Sequence, residues 1–385
     1  MEGPENPDRS AVRAAARAVL EAHWVPQGYT APNHATYPWQ WLWDSCFHAI
    51  CWAELGDDRG LTELRTVLSV QVEDGFVPHM NYVRNPGVAA DLWGRDDASS
   101  ITQPPMYGHA VAELVRRGVD VDEETVAKAE SGLKFLLIDR HRLPGGLVAL
   151  CHPWESGADD SPRWDDFCPG GFSLESWRPI KNQLVTSIER SPTGSPVANP
   201  AFESASAGFN ALVVFNAREL AEVTGRSAIT DRADELAGCL DGQWDESRRT
   251  WIDAGASEAG SGRARTLDGL LPMLVSGDPR RIDAVAADLA DPSAYGGWCG
   301  PAGVHRQEPG FDPRSYWRGP AWPQLGYLLW QGLLRHNRHR AAEQVASTTV
   351  RGAMRSGFAE YWDPDDGTGG GAVPQSWTAL AALMA

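Results

Sequence analysis

The sequence predicts an all-α fold, a closed double ring of helices of the (α/α)6-barrel type, with long loops gathered on one side. Three observations carry this. About a dozen segments place apolar residues at helical spacing. Most fall in pairs joined by short turns. Period-two strand patterns are scarce. No repeat of fixed length recurs, which disfavours a solenoid. No Gly/Ser or Pro linker divides the chain, so residues 1–385 read as a single domain with a loop-rich insert at about 140–200.

In chain order, the first helix is expected over 9–23, where Val12, Ala15, Ala16, Val19 and Leu20 mark one face. A loop rich in Pro and aromatic residues runs to Trp39. Helices over 41–55 and 61–72 follow, the first stopped by Gly56. The next pair spans 103–117, opened by Ser, Thr and Pro, and 123–138. Beyond the insert come helices over 204–224 and 227–240, separated at Gly225. Shorter helices at 267–274 and 280–289 precede 317–336, 340–355 and a closing 375–384. The best strand candidates are 145–150 and 250–253. The small-residue stretch 254–265 reads as a surface loop or lid edge.

Composition narrows the function. A formal net charge of −17 excludes a nucleic-acid or anionic-membrane surface, both of which need a basic field. No run of eighteen apolar residues exists, and the polar, acidic start has no signal-peptide character. The six cysteines form no Cys-x-x-Cys pair, so a zinc ribbon or redox motif is unsupported. A cytoplasmic protein with reduced thiols is expected, with homo-oligomerisation left open. The 17 Trp exceed both the 10 Phe and the 8 Tyr and often sit beside polar residues, as an aromatic-lined cavity requires.

The most informative stretch is residues 152–166, His-Pro-Trp-Glu-Ser-Gly-Ala-Asp-Asp-Ser-Pro-Arg-Trp-Asp-Asp. It holds five carboxylates, Arg163, Trp154 and Trp164. Sugar rings need this combination. Hydroxyls seek charged acceptors, the C–H face seeks an aromatic platform, and a carboxyl against indole has a raised pKa. Related stretches are Tyr37 to Ser45, with Trp41, Trp43 and Asp44; Asp74 to Tyr82; Ser99 to Ala110, with Gln103 at a helix mouth; Asp312 to Pro323; and Phe358 to Pro364. His79 and His109 read as packing residues, since no ligand spacing supports a metal. The glycines at 367–371 lack the Lys-Ser/Thr ending of a P-loop, and no Gly-x-Ser-x-Gly elbow occurs. Neither cofactor nor metal is expected. A carboxyl from the central stretch and Glu360 would converge on one pocket, one acting as acid and the other activating water. The residues leave the acid open among Glu155, Asp159, Asp160, Asp165 and Asp166.

Together, Trp41 to Asp44, Asp74 to His79, His152 to Asp159, Tyr316 to Pro320, Glu360-Tyr361 and Ser376 to Thr378 resemble glycoside hydrolase family 63. The bacterial glucosylglycerate and mannosylglycerate hydrolases look nearest, and family 37 trehalases are more distant. This resemblance implies an (α/α)6 barrel and inversion at an α-glycosidic bond, with Asp159 as acid and Glu360 as base. It also places Trp43, Asp44, Gln103, Arg163, Trp317, Arg318, Gly319 and Trp322 around the sugar; Trp41, Trp154, Glu155 and Gly157 are further substrate-binding candidates, and Tyr37 and Tyr82 are candidate hydrogen-bond donors to the aglycone. Two positions depart from the pattern: Asp160 stands in place of Asn, and Gln375 in place of Phe. The chain is short for the family, so trimmed lid loops are expected. The expected substrate is a small α-glucoside with a short polar aglycone, glucosylglycerate first and mannosylglycerate next. Arg84 and Arg178 are the candidates for its carboxylate, since Arg captures carboxylates bidentately. A general small α-glucosidase or trehalase-like enzyme is the alternative. A silent carbohydrate-binding protein or a sugar epimerase would share the fold. An epimerase would lean on histidines where carboxylates dominate here.

Overall fold

The computed structural model describes residues 8–255 and 260–385. The expectations for the extreme N-terminus and for the middle of the 254–265 stretch lie outside the described residues. Helix α1 (Arg9–His23) is capped by Asp8, whose carboxylate accepts from Ser10 N at 3.2 Å, and buries Val12, Ala16 and Leu20 on one stripe. Helix α2 (Leu42–Glu54) is buried all round from Leu42 to Ala53, and α3 (Arg59–Leu68) covers it. The single turn α4 (Ala90–Trp93) precedes α5 (Tyr107–Arg116) and α6 (Glu123–Lys134). Helix α6 runs on into a π-turn, Phe135–Asp139. Then come α7 (Leu174–Thr186), α8 (Ala207–Thr224), α9 (Thr230–Asp241) and α10 (Pro279–Ala290). The chain ends with α11 (Pro323–Arg335), α12 (His339–Arg355) and the short α13 (Ala381–Met384).

Neighbour relations explain which helices are buried. Helix α2 packs on α5, α5 on α8, and α8 on the 3-10 segment Asp268–Leu274. That segment packs on α11, α11 on the 3-10 segment Ser376–Leu380, and the latter returns to α2. Outside them lie α3, α6, α9, α10, α12 and α1, packed on the inner elements, with α6 lying against both α5 and α8. Inner elements are therefore buried on most sides, some polar residues included, whereas α1 and α12 bury one stripe. One apolar cluster runs from Val12 to Met384. No helix among the described residues is long and apolar enough to cross a membrane.

The structure corrects several boundaries. Helix α5 starts at Tyr107 because Pro104 and Pro105 withhold amide protons. Helix α11 starts at Pro323, since Trp317 has a left-handed backbone (φ 58°) that interrupts any helix through it. The strand expected at 145–150 is reduced to isolated bridges, Arg142 to Val148 and Leu150 to Ser204. Thr250–Trp251 does pair, antiparallel with Trp244–Asp245. The insert at 140–200 is not all loop, for it contains α7. Ser173 and Ser176 form a capping box there, and Trp177, Lys181, Leu184 and Val185 make the buried face. Pro179 inside the helix and a lysine on its buried face disguise the helical period.

Candidate active site

Two short ribbons aim the site. Gln40–Trp41 pairs with Met80–Asn81 just before α2, so Trp43 and Asp44 occupy the first turn of α2. Tyr361–Trp362 pairs with Gly369–Gly370, and Ala321 bridges to Trp362, holding Glu360 beside the segment before α11. Between them lies a cavity lined by Pro32, Tyr37, Trp41, Trp43, Asp44, Gln103, Gly157, Asp159, Tyr316, Trp317, Glu360, Gln375 and Trp377. Aromatic rings form much of the wall. Trp317 lies near-parallel to Trp43 at 6.4 Å, and Trp377 meets Trp43 edge-on at 5.6 Å. The indole nitrogens of Trp41 and Trp317 and the Gln375 carbonyl oxygen have no protein partner. Unpartnered polar atoms in an aromatic cavity suit a hydroxyl-rich ligand.

The central stretch is two tight turns. His152 caps the first, Pro153–Ser156, and Ser161 caps the second, Pro162–Phe167. Gly157 between them has φ 75°, and a Cβ there would lie 2.6 Å from the Trp43 ring. Only glycine allows the loop to lie against the indole. Asp159 follows, its carbonyl accepting from Trp177 Nε1 at 3.0 Å. Across the cavity, Glu360 Oε1 accepts from the Tyr37 hydroxyl at 3.2 Å and Oε2 from Ala372 N at 3.0 Å.

The two carboxyls are electrostatically different. Burial pushes Asp159 up to about 7; Lys181 opposes this, while Asp160 and Glu360 add to it. Burial also raises Glu360, but the Ala372 amide and the Tyr37 and Tyr316 hydroxyls all pull it back. One group thus holds a proton near neutrality, and the other has donors arranged to keep it ionised. Asp44 is driven well above the usual carboxylate range, first by burial and then by Glu360.

Of the expected residues, Tyr37, Trp41, Trp43, Asp44, Gln103, Gly157, Asp159, Trp317 and Glu360 meet at this cavity. The others do not line it. Tyr82 accepts from Trp93 Nε1 at 2.8 Å within a satellite apolar cluster, and Trp154 packs on its edge against Trp93 and His79. Glu155 is fully buried in an ion pair with Arg140 and accepts from the Thr102 and Cys151 amides. Arg163 is enclosed by Asp253 and Asp268. Arg318 forms a bidentate pair with Asp165, both bonds 2.8 Å. Gly319 packs on the Asp312 backbone, and Trp322 stacks beneath Trp317 at 3.7 Å. These residues support the walls instead of forming them. Arg178 is not in a loop but on the exposed side of α7, and Arg84 is exposed, so neither lines the cavity. Pro32, Tyr316, Gln375 and Trp377 line it without having been expected there. The string Tyr316-Trp317 beside two arginines and Trp377 beside Ser376 were the available signals.

His109, Glu113 and Glu219 come together with ligand-like spacing, the one such group among the described residues. Arg116 and Arg117 pair with Glu113, and Arg116 and Arg335 with Glu219, which makes it a buried ion-pair network.

Two carboxyls in unlike surroundings on one aromatic-walled cavity are the minimum equipment for cleaving a glycosidic bond, and the protein is a glycoside hydrolase. More narrowly, the chain belongs to the mannosylglycerate hydrolase MGH1-like glycoside hydrolase domain family, whose model matches residues 37–378. It is 29% identical to the mannosylglycerate hydrolase of Rubrobacter radiotolerans, over 99% of this chain and 98% of that one. It is 28% identical to the glucosylglycerate hydrolase of Mycolicibacterium hassiacum, over 99% of each. Among solved structures, it resembles the GH63 mannosylglycerate hydrolase of Thermus thermophilus in complex with Tris and D-glycerate. That match has a TM-score of 0.85 at 26% identity, covering 97% of this chain and 99% of the other.

Proposed function

We propose that the protein hydrolyses glucosylglycerate or mannosylglycerate with inversion at the anomeric carbon, using Asp159 as acid and Glu360 as base. The observation that carries this is the contrast between the two carboxyls on one cavity: Asp159 raised to about 7, and Glu360 held by two tyrosine hydroxyls and an amide. Asp159 gives its proton to the glycosidic oxygen, which leaves with the glycerate. Glu360 takes a proton from the water that attacks the opposite face of the sugar. Asp44 and Gln103 accept or donate to glycone hydroxyls, while Trp43 and Trp317 supply the apolar wall. The closed sequence of inner contacts supports an (α/α)6 barrel formed by one domain. The unpaired cysteines fit a reducing cytoplasm.

The glycerate assignment draws on the relatives' names and on the small cavity. A second reading, a general small α-glucosidase, is favoured by one observation: no Arg or Lys is among the residues lining the cavity, while three carboxyls are. Purified protein should be assayed on glucosylglycerate, mannosylglycerate and the neutral glucosylglycerol, with Asp159→Asn as control. Preference for the glycerate glycosides supports the first reading. Equal or faster cleavage of glucosylglycerol favours the second, and sugar release that survives Asp159→Asn removes the acid from its role.

A further inference from the structure

The chain has three lysines, Lys128, Lys134 and Lys181, and of these only Lys181 is buried, at 9% exposure. It reaches from α7 to the residue beside the acid: its Nζ lies 2.6 Å from Oδ1 of Asp160, itself 6% exposed. The ammonium sits by the faces of Trp154 and Trp177, 5.6 and 5.8 Å from the ring centres. The same helix donates Trp177 Nε1 to the Asp159 carbonyl at 3.0 Å. From the other side, Arg318 donates to the Asp160 carbonyl at 3.3 Å. Three elements therefore converge on residues 159 and 160, and a full ion pair is enclosed next to a carboxyl that must carry a proton.

We propose that Asp160 and Lys181 form a positioning couple for the acid, which anchors its loop to α7 and balances the charge beside the Asp159 carboxyl. The proposal rests on Asp159 being the acid. The charged and titratable groups facing Asp159 are Lys181 from α7, Asp160 from its own loop, and Glu360, Tyr37 and Tyr316 across the cavity. Arg318 is committed to Asp165. His152 donates Nε2–H to the Lys181 carbonyl at 2.9 Å and accepts from Trp154 N, so its ring is neutral. A carboxylate at 160 alone would favour the protonated acid, and an ammonium at 181 alone would favour its ionised form. Together they offset each other. A compact ammonium suits this narrow space between two indoles better than a planar guanidinium.

The signature is a pair of opposite shifts that cancel. The falling, alkaline limb of the kcat–pH profile reports the acid in the enzyme–substrate complex. Asp160→Asn leaves the lysine uncompensated and should move that limb toward acid pH by about 1 unit. Lys181→Met should move it toward alkaline pH, and the double variant should return it near the wild-type position. Lys181→Arg should keep the limb in place even if kcat falls. A role confined to folding would lower kcat or the melting temperature and leave the limb where it was. An unmoved limb in either single variant, or shifts in the same direction, overturns the proposal. Should Lys181→Met fail to fold, Asp160→Asn and Lys181→Arg decide the matter alone. Asp159→Asn, run alongside, separates the two claims. If it remains active, the acid assignment fails; if it is inactive while the limbs do not move, only this inference fails.

Discussion

The Tyr37 hydroxyl donates to Glu360 Oε1 at 3.2 Å, joining a loop before α2 to one near the end of the chain. The contact ties two walls of the cavity together and stabilises Glu360 in its ionised form. Tyr37→Phe removes the donor without changing the ring. Losing a hydrogen bond to a charged group costs about 1.5–3 kcal/mol, so kcat/KM should fall roughly tenfold or more. The acid-side limb of the profile should also move upward, because Glu360 then takes a proton more readily. An unchanged limb would show that the hydroxyl does not tune the base.

Activity should be bell-shaped in pH. In the roles proposed above Asp159 is the proton donor and Glu360 the base, so the rate falls as pH rises through the Asp159 value of about 7. Glu360 must be ionised, and burial lifts it above the ordinary carboxylate range, so the rate falls again on the acid side. A profile flat from pH 6 to 9 would contradict this assignment.

The same group should cost stability. Asp159 titrates near 7 when folded but near the usual carboxylate value when unfolded, so the folded state binds the extra proton between them. Stability contributed by this group therefore falls as pH rises from about 4 to about 7. Asp159→Asn should stabilise the protein on the order of 1–3 kcal/mol at pH 8, with the gain shrinking toward pH 4. Melting temperatures at the two pH values check this.

Much of this arrangement is legible in the sequence, for identifiable reasons. Trp43 and Asp44 could be placed because a helix visibly begins there, with indoles and an acid at its mouth. Glu155, Arg163 and Arg318 could not be sorted from Asp159 by residue type, because a buried ion pair and a sugar-binding group use the same side chains. Only burial and partners separate them: Glu155 meets Arg140, and Arg163 meets Asp253 and Asp268. The family resemblance puts Trp322 at the wall, yet it is one layer too deep, beneath Trp317. Helix α7 was hidden by Pro179, and with it the tie between Lys181 and the acid's neighbour.

Gly371 should be irreplaceable at the base. Its φ is 67°, and an added Cβ would collide with the Glu360 carboxylate. Gly371→Ala should lower kcat about 10–100-fold by displacing the base. Gly170→Ala is the control for backbone strain, since its φ is 91° and a Cβ there meets nothing within 4 Å. Equal activity loss in both variants would mean that strain, not displacement of Glu360, is responsible.

The stereochemistry of the first product tests the central claim most directly. Proton NMR of glucosylglycerate hydrolysis, followed before mutarotation, reports which anomer of glucose forms first. With Asp159 protonating the leaving oxygen and Glu360 directing water to the opposite face, β-glucose should appear first and α-glucose only later. Initial formation of α-glucose would mean net retention and would contradict the assigned roles of both carboxyls.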